Sequence, residues 1–251
     1  MESWVIVGSG GFVEGSVLPY FPKGLIKGVI NKNPVRSFGL SKAYDLKQYA
    51  DHHDAKQDGC THAYICSANW THLEWVHHCL EAGLEVVCEK PIICLAEQLT
   101  LFTSLAKKQW YGAMIKRVHN ALPSVLASKK FIIRATDVGS LDYLDARRGG
   151  FLFTELIHYI DIALVHVGKK YSYTVSGTRV RGSIVFKGST TITIDYDFDS
   201  GQRQSPLPFY PELITNIAKK DTRVLVPAHE LIPLYTVLLD IALRQTQEII
   251  E

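Results

Sequence analysis

Residues 61–92 read THAYICSANWTHLEWVHHCLEAGLEVVCEKPI, and this stretch decides the fold. An apolar run at 63–66 predicts a buried strand, and residues 71–82 predict a helix that ends at Gly83. A second apolar run at 85–88 predicts another buried strand. A strand, a helix and a strand in this order are typical of a parallel sheet with a crossover helix.

The same alternation continues on both sides of this stretch. Further strands are predicted at 4–7, 25–30 and 112–115, and further helices after the first strand, at 47–52 and at 96–109. Because strands and helices alternate along the chain, we expect an α/β fold with a doubly wound parallel sheet up to about residue 116.

Beyond residue 116 the pattern changes. A helix is predicted at 151–167, and period-two alternation of apolar and polar residues follows at 171–175, 179–186 and 190–198. Such alternation is typical of antiparallel strands with one covered face. A last helix is predicted from about residue 229 to the C-terminus. The sequence therefore predicts two domains, 1–116 and 117–251, the second a smaller α+β domain built on a mainly antiparallel sheet.

The composition excludes several classes of protein. The 251 residues carry a formal net charge of only +2, which is too small for the dense basic face of a nucleic-acid-binding protein. The chain lacks the roughly 18 consecutive apolar residues of a membrane helix and the pattern of a signal peptide. Its five cysteines are odd in number and lack the short spacing of a zinc or redox motif. We expect a cytoplasmic protein with reduced thiols and no metal site.

A glycine turn follows the first predicted strand. Gly8, Ser9, Gly10 and Gly11 precede Phe12 and Val13 at the start of a helix, where bare backbone amides can approach a pyrophosphate. This position favours a dinucleotide-binding domain of the Rossmann type. The third glycine of the usual fingerprint is replaced by Val13, so a plain turn between strand and helix remains the alternative.

The end of the second predicted strand bears on the choice of cofactor. In a dinucleotide site an acidic residue there favours a free ribose 2′-hydroxyl, whereas a basic residue accommodates a 2′-phosphate. Here the position is Asn31, with Lys32 and Arg36 close by and no carboxylate. NADP therefore fits at least as well as NAD, and a solvated basic turn is the alternative interpretation.

The ordered motifs between residues 61 and 161 carry a resemblance to a known family. Asn69 and His72 follow the third strand of the sheet, and Glu89-Lys90-Pro91 follows the next strand. Arg117, Gly149-Gly150 and the run from His158 to Asp161 come later in the same order. In this arrangement the chain resembles the Gfo/Idh/MocA family of NAD(P)-dependent oxidoreductases.

The resemblance implies roles for individual residues. Lys90 matches the lysine between nicotinamide ribose and substrate, and His158 matches the proposed acid/base at the substrate carbon. It further implies that Ser67, Asn69, His72 and Glu89 contact the cofactor, and that Arg117 and Thr154 join Lys90 and His158 around the substrate. Structural readings remain: a lysine before proline is often a solvated loop residue, and a histidine in an apolar helix is often a core residue.

The expected activity is hydride transfer between nicotinamide and a secondary alcohol or ketone of a sugar or sugar derivative. A homodimer or larger homo-oligomer formed through the second sheet is also expected from the resemblance. Thr154 stands where many members carry aspartate, and the second domain is short. These departures keep open a catalytically silent, dinucleotide-binding regulatory or assembly protein.

Overall fold

A computed structural model of the protein describes residues 2–114, 130–139, 150, 152–178, 180–200, 210–221 and 225–247. The chain divides into two compact units, the first comprising Met1–Ile93, Thr100–Ala113 and Gln204–His229. The second comprises Cys94–Leu99, Met114–Arg203 and Glu230–Glu251. The units are interleaved in sequence, whereas the division expected near residue 116 is linear.

The first unit is built on a seven-stranded sheet. Its strands are β1 (Trp4–Val7), β2 (Ile26–Ile30), β3 (Lys47–Tyr49), β4 (His62–Ile65), β5 (Glu85–Glu89), β6 (Tyr111–Ala113) and β11 (Leu225–Pro227). They lie in the order β11-β6-β5-β4-β1-β2-β3, and every neighbouring pair is parallel except β11 with β6. The order confirms the Rossmann-type parallel sheet.

Five α-helices accompany this sheet in the described part of the chain, and the first three contact its strands. They are α1 (Pro34–Tyr44), α2 (His52–Gln57), α3 (His72–Glu81), α4 (Gln98–Leu105) and α6 (Tyr210–Ala218). All four residues of β1 have no exposed surface, as expected for a central strand covered on both faces. The helix predicted at 47–52 is wrong: Lys47–Tyr49 is an edge strand paired with Gly28–Ile30, and the helix begins only at His52.

The second unit contains a four-stranded sheet and two helices. The strands β7 (Lys130–Gly139), β8 (Ser172–Gly177), β9 (Arg181–Lys187) and β10 (Thr191–Ser200) lie in the order β7-β10-β9-β8. The helices are α5 (Ile157–Val167) and α7 (Ile232–Gln247). β10 pairs antiparallel with β9 but parallel with β7, so the mainly antiparallel sheet is confirmed.

Alternation sets the two faces of this sheet. Ile192, Ile194, Tyr196 and Phe198 of β10 are buried, and the residues between them as far as Asp197 are half-exposed. Helix α5 contacts β10 and β9, and α7 contacts β8. Within the described ranges, the helices are too short or too polar to cross a membrane.

Candidate active site

The edge formed by the carboxyl ends of the parallel strands gathers most of the predicted site residues of the first unit. The strand order reverses between β1 and its two neighbours, β2 and β4, and ligands of open α/β sheets bind at such a switch point. Gly8 follows β1, Asn31 follows β2 and Lys90 follows β5, and Ser67 lies two residues after the end of β4. Predicted residues from four separate parts of the chain thus reach one edge.

Gly8 lies where the chain leaves β1 and passes close to β4. Its φ is +125°, a region that side chains rarely adopt, and its N–H donates to the Ile30 carbonyl over 2.9 Å. A Cβ atom added to Gly8 would lie 2.7 Å from the Cys66 carbonyl oxygen. This glycine is therefore required by both backbone conformation and contact with the neighbouring strand.

The next two glycines face open space. No described atom lies within 4 Å of a Cβ added to Gly10 or Gly11, apart from chain neighbours and the local helix backbone. Helical structure begins at Gly11 and continues as a π-helical turn over Val13–Val17. Val13, which replaces the usual third glycine, is fully buried, whereas Phe12 is half-exposed. The bare turn fits the approach of a pyrophosphate to backbone amides.

Ser9 and Asn31 are brought together. Ser9 is buried, and its hydroxyl accepts a hydrogen bond from the Asn31 side-chain amide. Asn33 caps helix α1, because its side-chain oxygen accepts from the Val35 and Arg36 N–H groups over 3.1 and 3.2 Å. The bond between Asn31 and Ser9 links the end of β2 to the glycine turn, and Asn33 caps the helix that follows β2.

The two predicted basic residues near β2 are both exposed. Lys32 Nζ lies 3.2 Å from Glu74 Oε1 and 5.7 Å from the ring centroid of Trp75. Arg36 lies in the first turn of α1. Lys32 and Glu74 are 42 positions apart in the chain. The sequence near β2 therefore does not indicate that Lys32 forms an ion pair with Glu74.

The loop after β4 contains Ser67, Asn69 and His72. Ser67 and Asn69 are half-exposed, and the Ser67 hydroxyl lies 2.8 Å from the Thr71 hydroxyl. His72 is only 1% exposed, with Nδ1 2.8 Å from the Pro91 carbonyl oxygen and Nε2 2.9 Å from the Ser67 carbonyl oxygen. Burial lowers the pKa of His72 below its usual value, against the raising effect of these carbonyls.

Glu89 is buried at the end of β5. Its carboxyl group accepts a hydrogen bond from the hydroxyl of Tyr64, which has no exposed surface. Burial raises the pKa of Glu89, although Tyr64 and the neighbouring Lys90 lower it. Lys90 itself is half-buried. Tyr64 was not anticipated, since it pairs with a residue 25 positions away.

The second unit holds Thr154 and His158. Leu152–Leu156 is π-helical and leads into α5, so the regular spacing that would put Thr154 and His158 on one face is interrupted. The Thr154 hydroxyl donates to the Gly150 carbonyl over 2.8 Å. Thr154, His158 and Asp161 are 5%, 2% and 3% exposed. Arg117 and Gly149 lie outside the described residues.

The sequence predicts no metal site at the cysteines. Cys60, Cys66, Cys79, Cys88 and Cys94 are buried free thiols. Burial raises the pKa of Cys79 and of Cys94 to about 12. Across the described ranges, no group of three or more histidine, cysteine or acidic residues has the arrangement of a metal site.

A family comparison matches the N-terminal part of the chain. Residues 3–115 match the model of the Gfo/Idh/MocA family, which is described as an oxidoreductase family with an NAD-binding Rossmann fold. No curated protein sequence matches the chain. The matched range contains the glycine turn, the end of β2 and Lys90.

Solved structures share the fold over most of the chain. An NAD-binding protein from Listeria innocua has a TM-score of 0.71 at 17% identity, and covers 98% of this chain and 95% of its own. A protein from Sinorhizobium meliloti assigned as a myo-inositol dehydrogenase has a TM-score of 0.75 at 16% identity, with coverage of 99% and 98%. A mutant 3-ketoreductase from Actinomadura kijaniata, in complex with TDP-benzene and NADP, has a TM-score of 0.64 at 16% identity, with coverage of 79% and 70%.

Proposed function

We propose that the protein is a sugar oxidoreductase, on the premise that residues 3–115 match the model of the Gfo/Idh/MocA oxidoreductase family with its NAD-binding Rossmann fold. It transfers a hydride between nicotinamide and a secondary alcohol or ketone of a sugar or sugar derivative, including nucleotide-linked sugars. The observation that carries this proposal is that Gly10, Gly11 and Lys90 lie at the same edge of the sheet. The space around the two glycines is open, and Lys90 follows β5, which lies two strands from β1.

The chain's own residues supply binding and proton chemistry. Backbone amides around Ser9 to Val13 hold the pyrophosphate at the start of the helix. A bound dinucleotide supplies the hydride acceptor or donor. Lys90 donates a hydrogen bond to the reacting hydroxyl, and His158 accepts the hydroxyl proton or returns it. Arg117 and Thr154 complete the substrate contacts in this proposal.

The proposal further assigns Lys90 and His158 to one substrate carbon. Lys90 belongs to the first unit and His158 to the second. The sugar class is supported by the names of two structural relatives, a myo-inositol dehydrogenase and a 3-ketoreductase.

The cofactor in this proposal is NADP or NAD, with NADP favoured by the residues after β2. Asn31 carries no charge that would repel a 2′-phosphate, and its side chain is bonded to Ser9. Lys32 and Arg36 are exposed cations on the same segment. A 2′-phosphate would find charge-assisted partners there.

The Glu74 carboxylate forms an ion pair with Lys32, so it competes with a 2′-phosphate for the Lys32 ammonium. We expect Glu74→Gln to tighten NADPH binding by about two- to fivefold, the scale of an exposed charge interaction, and to leave NADH binding nearly unchanged. The measurement is the dissociation constant of each reduced dinucleotide, from its fluorescence at low salt. Glu81→Gln is the matched control, because Glu81 lies on the same helix and pairs with His77. An equal gain for NADH and NADPH would contradict a role in phosphate recognition.

A two-step experiment tests the proposed function. Binding of NADH and NADPH is measured by fluorescence, and sugars, inositols and nucleotide sugars are then screened for a change in nicotinamide absorbance. Turnover of at least one polyol or keto sugar is expected. If a dinucleotide binds but no compound in a broad panel reacts, the protein is instead the silent regulatory or assembly protein. If neither dinucleotide binds, both interpretations fail.

Assembly and location complete the proposal. We propose a homodimer or larger homo-oligomer through the face of the second sheet that carries Ile132, which is 55% exposed. We also propose a cytoplasmic location, where buried free thiols such as Cys66 and Cys88 remain reduced. Sedimentation equilibrium compares the molecular mass of the wild type with that of Ile132→Asp, and we expect a lower mass for the variant.

A further inference from the structure

His72 bridges two loops at the edge where the site lies. The loop after β4 contributes the Ser67 carbonyl, and the segment after β5 contributes the Pro91 carbonyl. Both oxygens lie within 3 Å of a ring nitrogen of His72. Because the ring is almost completely buried, it does not reach solvent or a ligand bound above the edge. Its contacts differ from the direct cofactor contact expected from the sequence.

The chemistry of these contacts restricts the ring. A backbone carbonyl only accepts hydrogen bonds, and a neutral imidazole carries one N–H. Burial lowers the pKa of His72, and in its neutral form the ring donates to one carbonyl at a time. The proton is therefore placed on Nδ1 for Pro91 or on Nε2 for Ser67.

The two loops are held by different sets of bonds. The loop after β4 has further bonds of its own, since the Thr71 hydroxyl contacts Ser67 Oγ and donates to the Ala68 carbonyl over 2.8 Å. Pro91 directly follows Lys90 and, being proline, has no N–H with which to anchor the segment. On the other side of Lys90, Glu89 is fixed by Tyr64. The bond from His72 to Pro91 thus holds the backbone on the C-terminal side of Lys90.

We propose that His72 is a positioning residue that holds Lys90 at the nicotinamide end of the dinucleotide site through a hydrogen bond from Nδ1 to the Pro91 carbonyl. This inference rests on the proposed function, because it takes Lys90 to contact the nicotinamide ribose. It separates His72 from the residues that touch the cofactor. It also attributes the effect of His72 on cofactor binding to Nδ1 and not to Nε2.

Two substitutions separate the two bonds. In His72→Asn the side-chain N–H₂ takes the place of Nδ1 and can still donate to Pro91. In His72→Gln it takes the place of Nε2 and can still donate to Ser67. Each variant keeps one donor and loses the other, so a purely structural role predicts similar effects. His77→Gln is the control, because His77 is a half-exposed residue of the same helix.

The experiment compares two ligands at neutral pH. One is the reduced dinucleotide that the wild type binds more tightly, NADPH or NADH. The other is its adenosine half, adenosine 2′,5′-bisphosphate or ADP, which cannot reach Lys90 in this proposal. We expect His72→Gln to weaken dinucleotide binding about fivefold, the effect of one lost hydrogen bond, and His72→Asn to stay within about twofold of wild type. The adenosine half should bind all variants alike.

The outcomes separate the two proposals. If the wild type binds neither dinucleotide, the proposed function fails and this inference fails with it. If the wild type binds but His72→Gln is no weaker than His72→Asn, or if His72→Gln loses affinity equally for both ligands, only the positioning role of His72 is overturned. Thermal unfolding of each variant identifies a general loss of structure, which would also count against the specific role.

Discussion

Lys90→Ala and His158→Gln should each lower kcat by about 10²–10⁴-fold on the sugar that the wild type turns over. Lys90→Ala removes the ammonium that donates to the reacting hydroxyl, and His158→Gln removes the group that exchanges its proton. Lys90 is half-buried at a strand end, so its loss should have little effect on thermal unfolding. Glutamine at position 158 keeps most of the side-chain volume of a residue that is 2% exposed.

The double variant provides the sharper result. Groups that act on one step are strongly non-additive, so the double variant should be little slower than the slower single variant. The measurement is steady-state kcat and KM for the four proteins. Lys107→Ala and His166→Gln are controls, because Lys107 is exposed and His166 is a half-exposed residue of α5. Normal turnover by Lys90→Ala would mean that the site is misplaced, and fully multiplicative losses would show that the two groups contribute independently and do not act as a unit.

Gly8→Ala should destabilise the first unit by about 3 kcal/mol or more. The new Cβ would lie 2.7 Å from the Cys66 carbonyl oxygen, and alanine would have to adopt a φ of +125°. Urea unfolding followed by tryptophan fluorescence measures this effect. Trp4, Trp70, Trp75 and Trp110 are the four tryptophans of the chain, and all belong to the first unit, so the signal reports on that unit.

Gly10→Ala and Gly11→Ala are the matched controls for the same turn. Their added methyl groups meet no described atom within 4 Å beyond the local chain, so stability should change by less than about 1 kcal/mol. The methyl groups instead occupy the space through which a pyrophosphate would approach, and dinucleotide binding should weaken about tenfold or more. Equal destabilisation by all three substitutions would contradict the distinction between a packing glycine and a binding glycine.

Several features of the fold were predictable because their signals are local. The apolar runs at β1, β4 and β5 are continuous, and the helix at His72–Glu81 ends beside Gly83. The helix α1 was missed. Its exposed side chains include Val35 and Phe38, so it lacks a clear apolar stripe, and Asn33 capping became visible only in the structure. The three residues of β3 have no periodicity and are ordered by pairing with β2.

The sequence by itself determined the central strands β1, β2, β4 and β5 of the first unit, the glycine turn after β1 and the family signature around Lys90. These are patterns between residues close in the chain. Only the tertiary structure decided that β11 returns to pair with β6 and that β7 runs parallel to β10. It also decided that Glu89 is bonded to Tyr64 and that His72 lies between two carbonyls. Such partners are chosen by proximity in the folded chain, because a buried polar group must bond to whichever donor or acceptor packing brings to it.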